Sequence, residues 1–394
     1  MNSHKKTSFS LKSFYVLSFF AFGSLFPLLG VYFKDVTKLS GTEIGTLMSI
    51  SPVVMIFAQP LWGMITDFTR KPKHVLAFSV VVTGLLGFLV LYVHQYVALI
   101  FMLIALAIFQ SAIVPVSDSI ALTYVHEMKE DYGNYRLFGA IGFAIAVFVM
   151  GKLAGSSGVS VIFYSFAISL ILCFFMVKNM PNEGQMMKTD LRSGLATLVK
   201  MPSFMLFLFT TFLVFGPIFA NNFYFSFYIQ GIGGSLAAVG IAFLLAAGSE
   251  APFMKIAGLA LRKFGIMNVM MFAAAISSAR WLFYFFEPSI TIVMITTIVQ
   301  GFSVGLFIPA AMEYIRGTTP TNVRATAVSL YTAVGNGLGS WFCTFVGGII
   351  FDYYSIFTTY LLFGILSTAG LVTVFILVRW QAKTPMIVEN RELG

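Results

Sequence analysis

The sequence predicts an all-α membrane protein with twelve transmembrane helices arranged as two six-helix pseudo-repeats. Composition is the first observation behind this fold class, because 58% of the 394 residues are hydrophobic and only 10% are charged. The mean hydropathy is +0.91. A soluble globular domain carries about 25% charged residues, so this composition excludes the soluble classes.

The second observation is a series of apolar segments of membrane-spanning length. A helix needs about 20 mainly apolar residues to cross a bilayer. Most of the connections are very short, so successive helices should be antiparallel neighbours. The twelve predicted spans are Phe14–Phe33, Ile44–Thr66, Val75–Val93, Val97–Val125, Tyr135–Leu153, Val159–Val177, Phe204–Ile229, Leu236–Leu259, Ile266–Phe286, Ile290–Ile315, Ala325–Ile350 and Ile356–Val378.

A polar connection, Lys178–Pro202, divides these spans into two sets of six. We therefore predict a first bundle over residues 1–178, a cytoplasmic linker over 179–202, a second bundle over 203–379 and a cytoplasmic tail over 380–394. The third observation is a faint similarity between the two halves, at offsets of 192, 195 and 196 residues. The matching pairs are Arg70-Lys71 with Arg262-Lys263, Asp118 with Glu313, and Gly151 with Gly347. Parallel repeats of this kind place a substrate site between the halves, near the midplane of the membrane.

Lys and Arg concentrate on the cytoplasmic side of membrane proteins, which sets the predicted orientation. With the N-terminus inside, only Lys34, Lys38, Lys152 and Arg280 of the 24 basic residues lie away from the inner segments and helix ends. Both termini are therefore expected in the cytoplasm, in a multi-pass protein of the cytoplasmic membrane. This topology explains the net charge of +9 without nucleic-acid binding. The apolar run after Met1–Lys12 is too long for a signal-peptide core, so we expect a retained first span.

Charged residues inside the spans are the candidate functional residues. Asp118 lies in the fourth span, Arg136 opens the fifth, Glu250 lies in the eighth and Arg280 in the ninth. Such residues cost roughly 2.5–3.5 kcal/mol each on insertion scales, and they usually pair or face a cavity. Asp118 and Arg136 lie at facing ends of a helical hairpin, so we expect them to meet. The alternative is that Asp118 lies near the membrane surface and serves only as a clasp within the hairpin.

The turn after the second span carries a motif made of Gly63, Asp67, Arg70 and Lys71. Asp67 is placed to cap a neighbouring helix or to pair with a cation there. The motif resembles the signature loop of the major facilitator superfamily, although Thr69 stands where that family usually has a glycine. With twelve spans divided six and six, the chain is identified as a member of this superfamily, which implies the major facilitator fold, gating at this loop and transport by alternating access.

Shorter motifs resemble the branch of the superfamily that holds phenylpropionate permease, nucleoside/proton symporters and lactose permease. They are Leu39–Gly45, Pro60–Gly63, Arg136–Gly142 and Arg280-Trp281. In lactose permease a fourth-helix carboxylate and a fifth-helix arginine bind the sugar, and Asp118 and Arg136 match them. The resemblance also implies that Glu250 and Arg280 face the substrate cavity.

One departure concerns proton coupling. Where lactose permease carries its coupling histidine and glutamate, this chain has Gln300 and Ser303. If protons are coupled, then Glu250, Glu313 or Asp118 must take them. Glu250 is the first candidate because no basic residue adjoins it in sequence, and an apolar cavity disfavours the charged form of a carboxyl group.

Several candidates keep a structural alternative. Glu313 and Arg316 are three residues apart, so an interfacial ion pair is as good an interpretation as a role in proton coupling. Asn222 and Tyr228 on the seventh span could bind substrate or could only pack against other helices. Gly335, Gly337, Gly339, Gly347 and Gly348 should permit close packing of the eleventh span.

The sequence lacks the motifs of several other functions. The four histidines lie in tails or loops, no phosphate-binding loop occurs, and no nucleophile–base set is present, so we expect no metal, no cofactor and no enzyme activity. We predict a monomeric secondary transporter that moves a small sugar, nucleoside or aromatic acid, in symport with protons. Uptake is favoured because Gly139–Gly155 lacks the Gly-Pro pair typical of drug/proton antiporters. The alternatives are a proton-coupled exporter and a non-transporting sensor of the same fold.

Overall fold

The computed structural model describes residues 3–130, 132–181 and 191–381, and these ranges are built from α-helices. We number the helices in chain order. They are α1 (Ser3–Asp35), α2 (Gly41–Thr69), α3 (Pro72–Val90), α4 (Tyr96–Met128), α5 (Gly133–Ser157), α6 (Val161–Val177), α7 (Leu191–Leu198), α8 (Pro202–Gly231), α9 (Leu236–Phe264), α10 (Ile266–Phe285), α11 (Ile290–Thr318), α12 (Arg324–Thr332), α13 (Ser340–Tyr353) and α14 (Ile356–Gln381).

Each of the twelve predicted spans coincides with helix, which confirms the predicted fold class. Eleven helical segments in the described ranges are long and apolar enough to cross a membrane. The twelfth, α6, has 17 residues, which is the lower limit for a span. Parts of the predicted linker and tail, residues 182–190 and 382–394, lie outside the described residues.

Two elements differ from the prediction. The short helix α7 occupies part of the segment predicted as a polar linker. The eleventh span is not a continuous α-helix, because residues Ala333–Gly339 between α12 and α13 form a π-helix. A Cβ at Gly339 would lie 3.0 Å from the carbonyl oxygen of Phe212 on α8, so the glycine at this position permits the π-helix to approach α8 closely.

The described contacts group the chain into two compact units. The first contains α1–α6 together with Ala220–Ala247 and Thr344–Ile356. The second contains α7, the part of α8 up to Phe219, Gly248–Cys343 and the chain from Phe357 onward. These units are defined by contacts between residues, whereas the predicted bundles over residues 1–178 and 203–379 were defined by sequence repeats. The division into two six-helix bundles therefore stays a prediction.

Close packing of α1 on α5 organises the first unit. A Cβ at Gly142 on α5 would lie 2.2 Å from the carbonyl oxygen of Val16 on α1, so only glycine permits this approach. Because the helices are this close, side chains of α1 reach the start of α5. This packing places Tyr15 and Phe19 beside Arg136.

Candidate functional site

Asp118 forms the centre of a polar cluster in the first unit. It lies on α4, three residues after Pro115, which removes one helical N–H from the ladder. The fully buried Tyr15 of α1 donates a hydrogen bond from its hydroxyl to Asp118 Oδ1 over 2.7 Å. Burial and then the charge of Asp118 raise the pKa of the Tyr132 phenol in the turn before α5, so this phenol stays protonated and can donate.

Arg136 completes this cluster through aromatic rings and not through Asp118. Its guanidinium carbon lies 4.2 Å from the ring centroid of Phe19 and 5.7 Å from that of Tyr15. The prediction of a direct Asp118–Arg136 pair is wrong for this conformation, since no ion pair joins them in the described ranges. The physical reason is the packing of α1 on α5, which brings the Tyr15 side chain to both residues. Nη1 of Arg136 is buried and has no hydrogen-bond partner among the described residues.

Arg280 forms the centre of a second polar cluster, in the second unit. Its side chain on α10 is only 5% exposed. Nη1 donates to Gln300 Oε1 over 2.7 Å, and Nε donates to the Tyr284 hydroxyl over 3.1 Å. The guanidinium also stacks on Trp281 and Tyr284, at 4.5 and 4.8 Å from their ring centroids. The partners that this buried cation has among the described residues are therefore neutral.

Two buried donors in the second cluster remain available. Nη2 of Arg280 and Nε1 of Trp281 have no hydrogen-bond partner in the part of the chain that the structure describes. An unmet buried donor costs about 1–3 kcal/mol, and more when it is charged. The arrangement is therefore suited to a ligand that brings acceptor oxygens.

Glu250 lies on α9 where that helix approaches α11 most closely. A Cβ at Gly301 would lie 2.8 Å from the backbone nitrogen of Glu250, and one at Gly305 would lie 3.0 Å from its carbonyl oxygen. The side chain is half-buried, and no ion pair reaches it within the described ranges. Glu250 is thus a partly buried carboxyl group without a counter-ion among the described residues.

One predicted proton carrier, Glu313, and one predicted binding residue, Tyr228, make contacts that suit a structural role. Glu313 forms an ion pair with Arg316 at 3.5 Å, and both side chains are exposed, at 45% and 61%. This favours the ion-pair interpretation of Glu313. Tyr228 is fully buried and stacks on Phe225 at 6.4 Å, which favours a packing role, whereas Asn222 is half-buried.

The predicted gating motif adopts the expected turn without the expected contact. α2 ends at Thr69, its C-cap Arg70 has a left-handed backbone with φ of 51°, and α3 begins with Pro72 after the N-cap Lys71. Asp67 neither caps a helix nor pairs with a cation among the described residues, so that prediction is wrong for this conformation. The reason is its place on α2, where the neighbouring Thr66 is buried and Asp67 is exposed.

Sequence analysis did not identify Tyr15 or Gln110. No signal distinguishes Tyr15 among the 16 tyrosines. Gln110 had a signal, because it is an amide inside the apolar run of α4, eight residues before Asp118. Its side chain is 7% exposed, and its Oε1 has no partner among the described residues.

Several known transporters are similar to this chain. A model described as the MFS_1 like family matches residues 8–362. Maltose permease of Geobacillus stearothermophilus is 45% identical over 380 residues, covering 95% of each chain. The uncharacterized transporter YwbF of Bacillus subtilis (strain 168) is 43% identical over 362 residues, covering 92% of this chain and 91% of that one. The crystal structure of the nucleoside transporter NupG matches with a TM-score of 0.82 at 19% identity, covering 96% of this chain and 99% of that one.

Proposed function

This chain belongs to the MFS_1-like family of the major facilitator superfamily, and we propose that it is a sugar permease. Its substrate is a sugar of the maltose type, carried into the cell by alternating access together with protons. The observation that supports this most is the 45% identity to a maltose permease over 95% of each chain. The protein lies in the cytoplasmic membrane, as a monomer with both termini inside.

The two arginine clusters supply groups that suit a polyhydroxylated ligand. A sugar hydroxyl both donates and accepts hydrogen bonds, so in the first cluster it can donate to Asp118 or accept from Nη1 of Arg136. In the second cluster a hydroxyl can accept from Nη2 of Arg280. Aromatic rings lie beside both guanidinium groups and offer apolar surface to the C–H faces of a sugar ring. Asn222, half-buried on α8, is a further candidate for a hydroxyl contact.

Glu250 is the proposed proton carrier. Gln300 and Ser303 do not ionise at physiological pH, so they cannot take the proton. Glu250 has no ion-pair partner in the described ranges, and it lies on a helix that meets α11 one residue after Gln300. A change in the charge of Glu250 therefore occurs close to the part of α11 that carries Gln300, the residue that binds Arg280.

Internal pH in dye-loaded proteoliposomes tests this function. Maltose, other disaccharides, nucleosides and aromatic carboxylates are each added outside the vesicles. An inward sugar gradient should draw protons in and acidify the interior, whichever way the protein is inserted. Acidification by nucleosides or by aromatic acids alone would replace the sugar with that class, and alkalinisation would indicate an antiporter.

Replacing Glu250 separates coupling from substrate movement. Glu250→Gln should abolish sugar-driven proton movement and keep the exchange of labelled sugar across the membrane, because the amide cannot ionise. Glu313→Gln is the matched control, since Glu313 is exposed and ion-paired, and it should keep both activities. Loss of exchange as well as proton movement in Glu250→Gln, with sugar binding intact, would contradict the assignment, and loss of proton movement in Glu313→Gln would move the role there.

A further inference from the structure

Gln110 has a buried side-chain oxygen without a hydrogen-bond partner among the described residues. It lies in the middle of α4, and 93% of its surface is covered, given an exposed fraction of 7%. Among the described residues its Oε1 accepts no hydrogen bond. The neighbouring Ser111 behaves in the ordinary way, because its hydroxyl donates to the carbonyl oxygen of Ile108 on the same helix. Native proteins rarely leave a buried amide unpaired, so Gln110 requires an explanation.

Gln110 lines a small cavity within the first unit. The walls come from α1, α2, α4 and α8, and Phe26 of α1 and Phe223 of α8 contribute aromatic rings. Apart from Gln110, the polar residue at the cavity is Ser51 of α2. The space open to water is about 20 Å³, which is room for one water molecule and far too little for a sugar ring.

The size and chemistry of this cavity define what it can hold. A group the size of one water molecule, with a donor for the Gln110 oxygen and an acceptor for its NH₂, is a hydroxyl group. The apolar remainder of the wall suits the carbon that carries the hydroxyl. Gln110 also lies two helical turns from Asp118, on a neighbouring part of the same helix.

We propose that Gln110 binds a single hydroxyl or hydroxymethyl group of the transported sugar, and so determines which sugars are accepted. This inference rests on the proposed function, because it assigns one more contact to the same substrate. Oε1 of Gln110 has no hydrogen-bond partner among the described residues, and a hydroxyl of the sugar would supply one.

Matched substrates and variants test this assignment. The affinities of wild type and Gln110→Met, which keeps the length of the side chain, are measured in proteoliposomes with maltose and each of its mono-deoxy derivatives. One derivative should bind wild type about ten-fold more weakly than maltose does. Gln110→Met should bind maltose about ten-fold more weakly and should not distinguish maltose from that derivative, because the contact is already lost.

Thermal unfolding supplies a readout that a structural role would not give. Removing an unpaired amide from an apolar cavity should leave the unfolding temperature unchanged or higher, so affinity and stability should move in opposite directions. Gln110→Leu serves as a second variant if Gln110→Met does not fold. Ser111→Ala is the control, since its hydroxyl is bonded within α4, and it should keep wild-type affinity for every sugar.

Three results would overturn the assignment. If the losses from Gln110→Met and from every deoxygenation simply add, the residue does not touch the sugar. If Gln110→Met unfolds at a lower temperature with unchanged affinity, the amide holds a structural water. If wild type transports nucleosides or aromatic acids and no sugar, the proposed function fails, and the sugar-hydroxyl assignment fails with it.

Discussion

Arg136 and Arg280 each stack on two aromatic rings, but only Arg136 shares its cluster with a carboxylate. In the Arg136 cluster (Tyr15, Phe19, Asp118, Tyr132 and Arg136) the negative charge of Asp118 is held by the Tyr15 hydroxyl. In the Arg280 cluster (Arg280, Trp281, Tyr284 and Gln300) the hydrogen bonds go to an amide and a phenol. Both guanidinium groups keep one nitrogen without a partner among the described residues.

This difference indicates two ways of keeping a cation inside a membrane protein. The Arg136 cluster contains both signs of charge, and Arg136 itself is only half-buried, so its electrostatic cost is reduced locally. In the Arg280 cluster the Arg280 side chain is 95% buried, and its partners among the described residues carry no compensating charge. A buried and unpaired charge destabilises the fold. We infer that the Arg280 cluster is retained for function at the expense of stability.

Replacing each arginine by glutamine should give the largest effects and separate the two clusters. Arg280→Gln should lower sugar transport about 100-fold, since charged hydrogen bonds contribute roughly 1.5–3 kcal/mol each. Its unfolding temperature should stay the same or rise, because a buried unpaired charge is removed. Arg136→Gln should lower transport to a similar degree and also lower the unfolding temperature, because the guanidinium no longer stacks on the rings of Phe19 and Tyr15.

Initial uptake rates and thermal unfolding of the two purified variants measure these effects. Arg316→Gln is the control for loss of a basic residue at an exposed site, and it should leave uptake within about two-fold of wild type. If Arg280→Gln destabilised the protein as much as Arg136→Gln, the Arg280 cluster would be structural and the contrast between the clusters would not hold.

The sequence predicted the helices and the charged residues of both clusters for one physical reason. Lipid accepts only segments whose backbone is hydrogen-bonded internally, so spans appear as long apolar runs. A charge within such a run is conspicuous, and for this reason Asp118, Arg136, Glu250 and Arg280 could be selected without a structure. The neutral residues could not be selected in this way. Tyr15 and Phe19 belong to the site because Gly142 allows α1 to approach α5, and that distance is a property of the packed helices.

Local departures from regular α-helix could also not be predicted from the sequence. The π-helix at Ala333–Gly339 has the same glycine pattern that a closely packed α-helix would have, so the pattern predicted close packing correctly and the helix type wrongly. Asp67 is exposed in this structure, although the loop motif led us to expect a helix cap or a cationic partner for it.

Giving the Arg280 cluster a carboxylate should make it resemble the Arg136 cluster. In Gln300→Glu the new carboxylate would lie where the amide oxygen now lies, 2.7 Å from Nη1 of Arg280. An ion pair there compensates the buried charge, so the unfolding temperature should rise. Sugar affinity should fall about five-fold, because a neutralised guanidinium is a weaker partner for substrate oxygens.

Ser303→Ala is the control on the same helix, since the Ser303 hydroxyl donates to the carbonyl oxygen of Val299 within that helix. It should leave affinity and stability unchanged. Affinity that stayed at the wild-type value in Gln300→Glu, with a raised unfolding temperature, would show that the positive charge of Arg280 does not contribute to binding.

The smallest expected effect concerns the Tyr15 hydroxyl, which distinguishes the Arg136 cluster. Tyr15→Phe keeps the ring beside Arg136 and removes the donor to Asp118. Asp118 is half-buried, so water can replace part of this hydrogen bond, and affinity should fall only about three-fold with roughly 1 kcal/mol of stability lost. Tyr284→Phe is the corresponding change in the Arg280 cluster, where it removes the acceptor for Nε of Arg280. Because no carboxylate is among the partners that stabilise the Arg280 guanidinium, Tyr284→Phe should lower the unfolding temperature more than Tyr15→Phe does. The opposite order would mean that Asp118, and not Arg280, carries the less compensated charge.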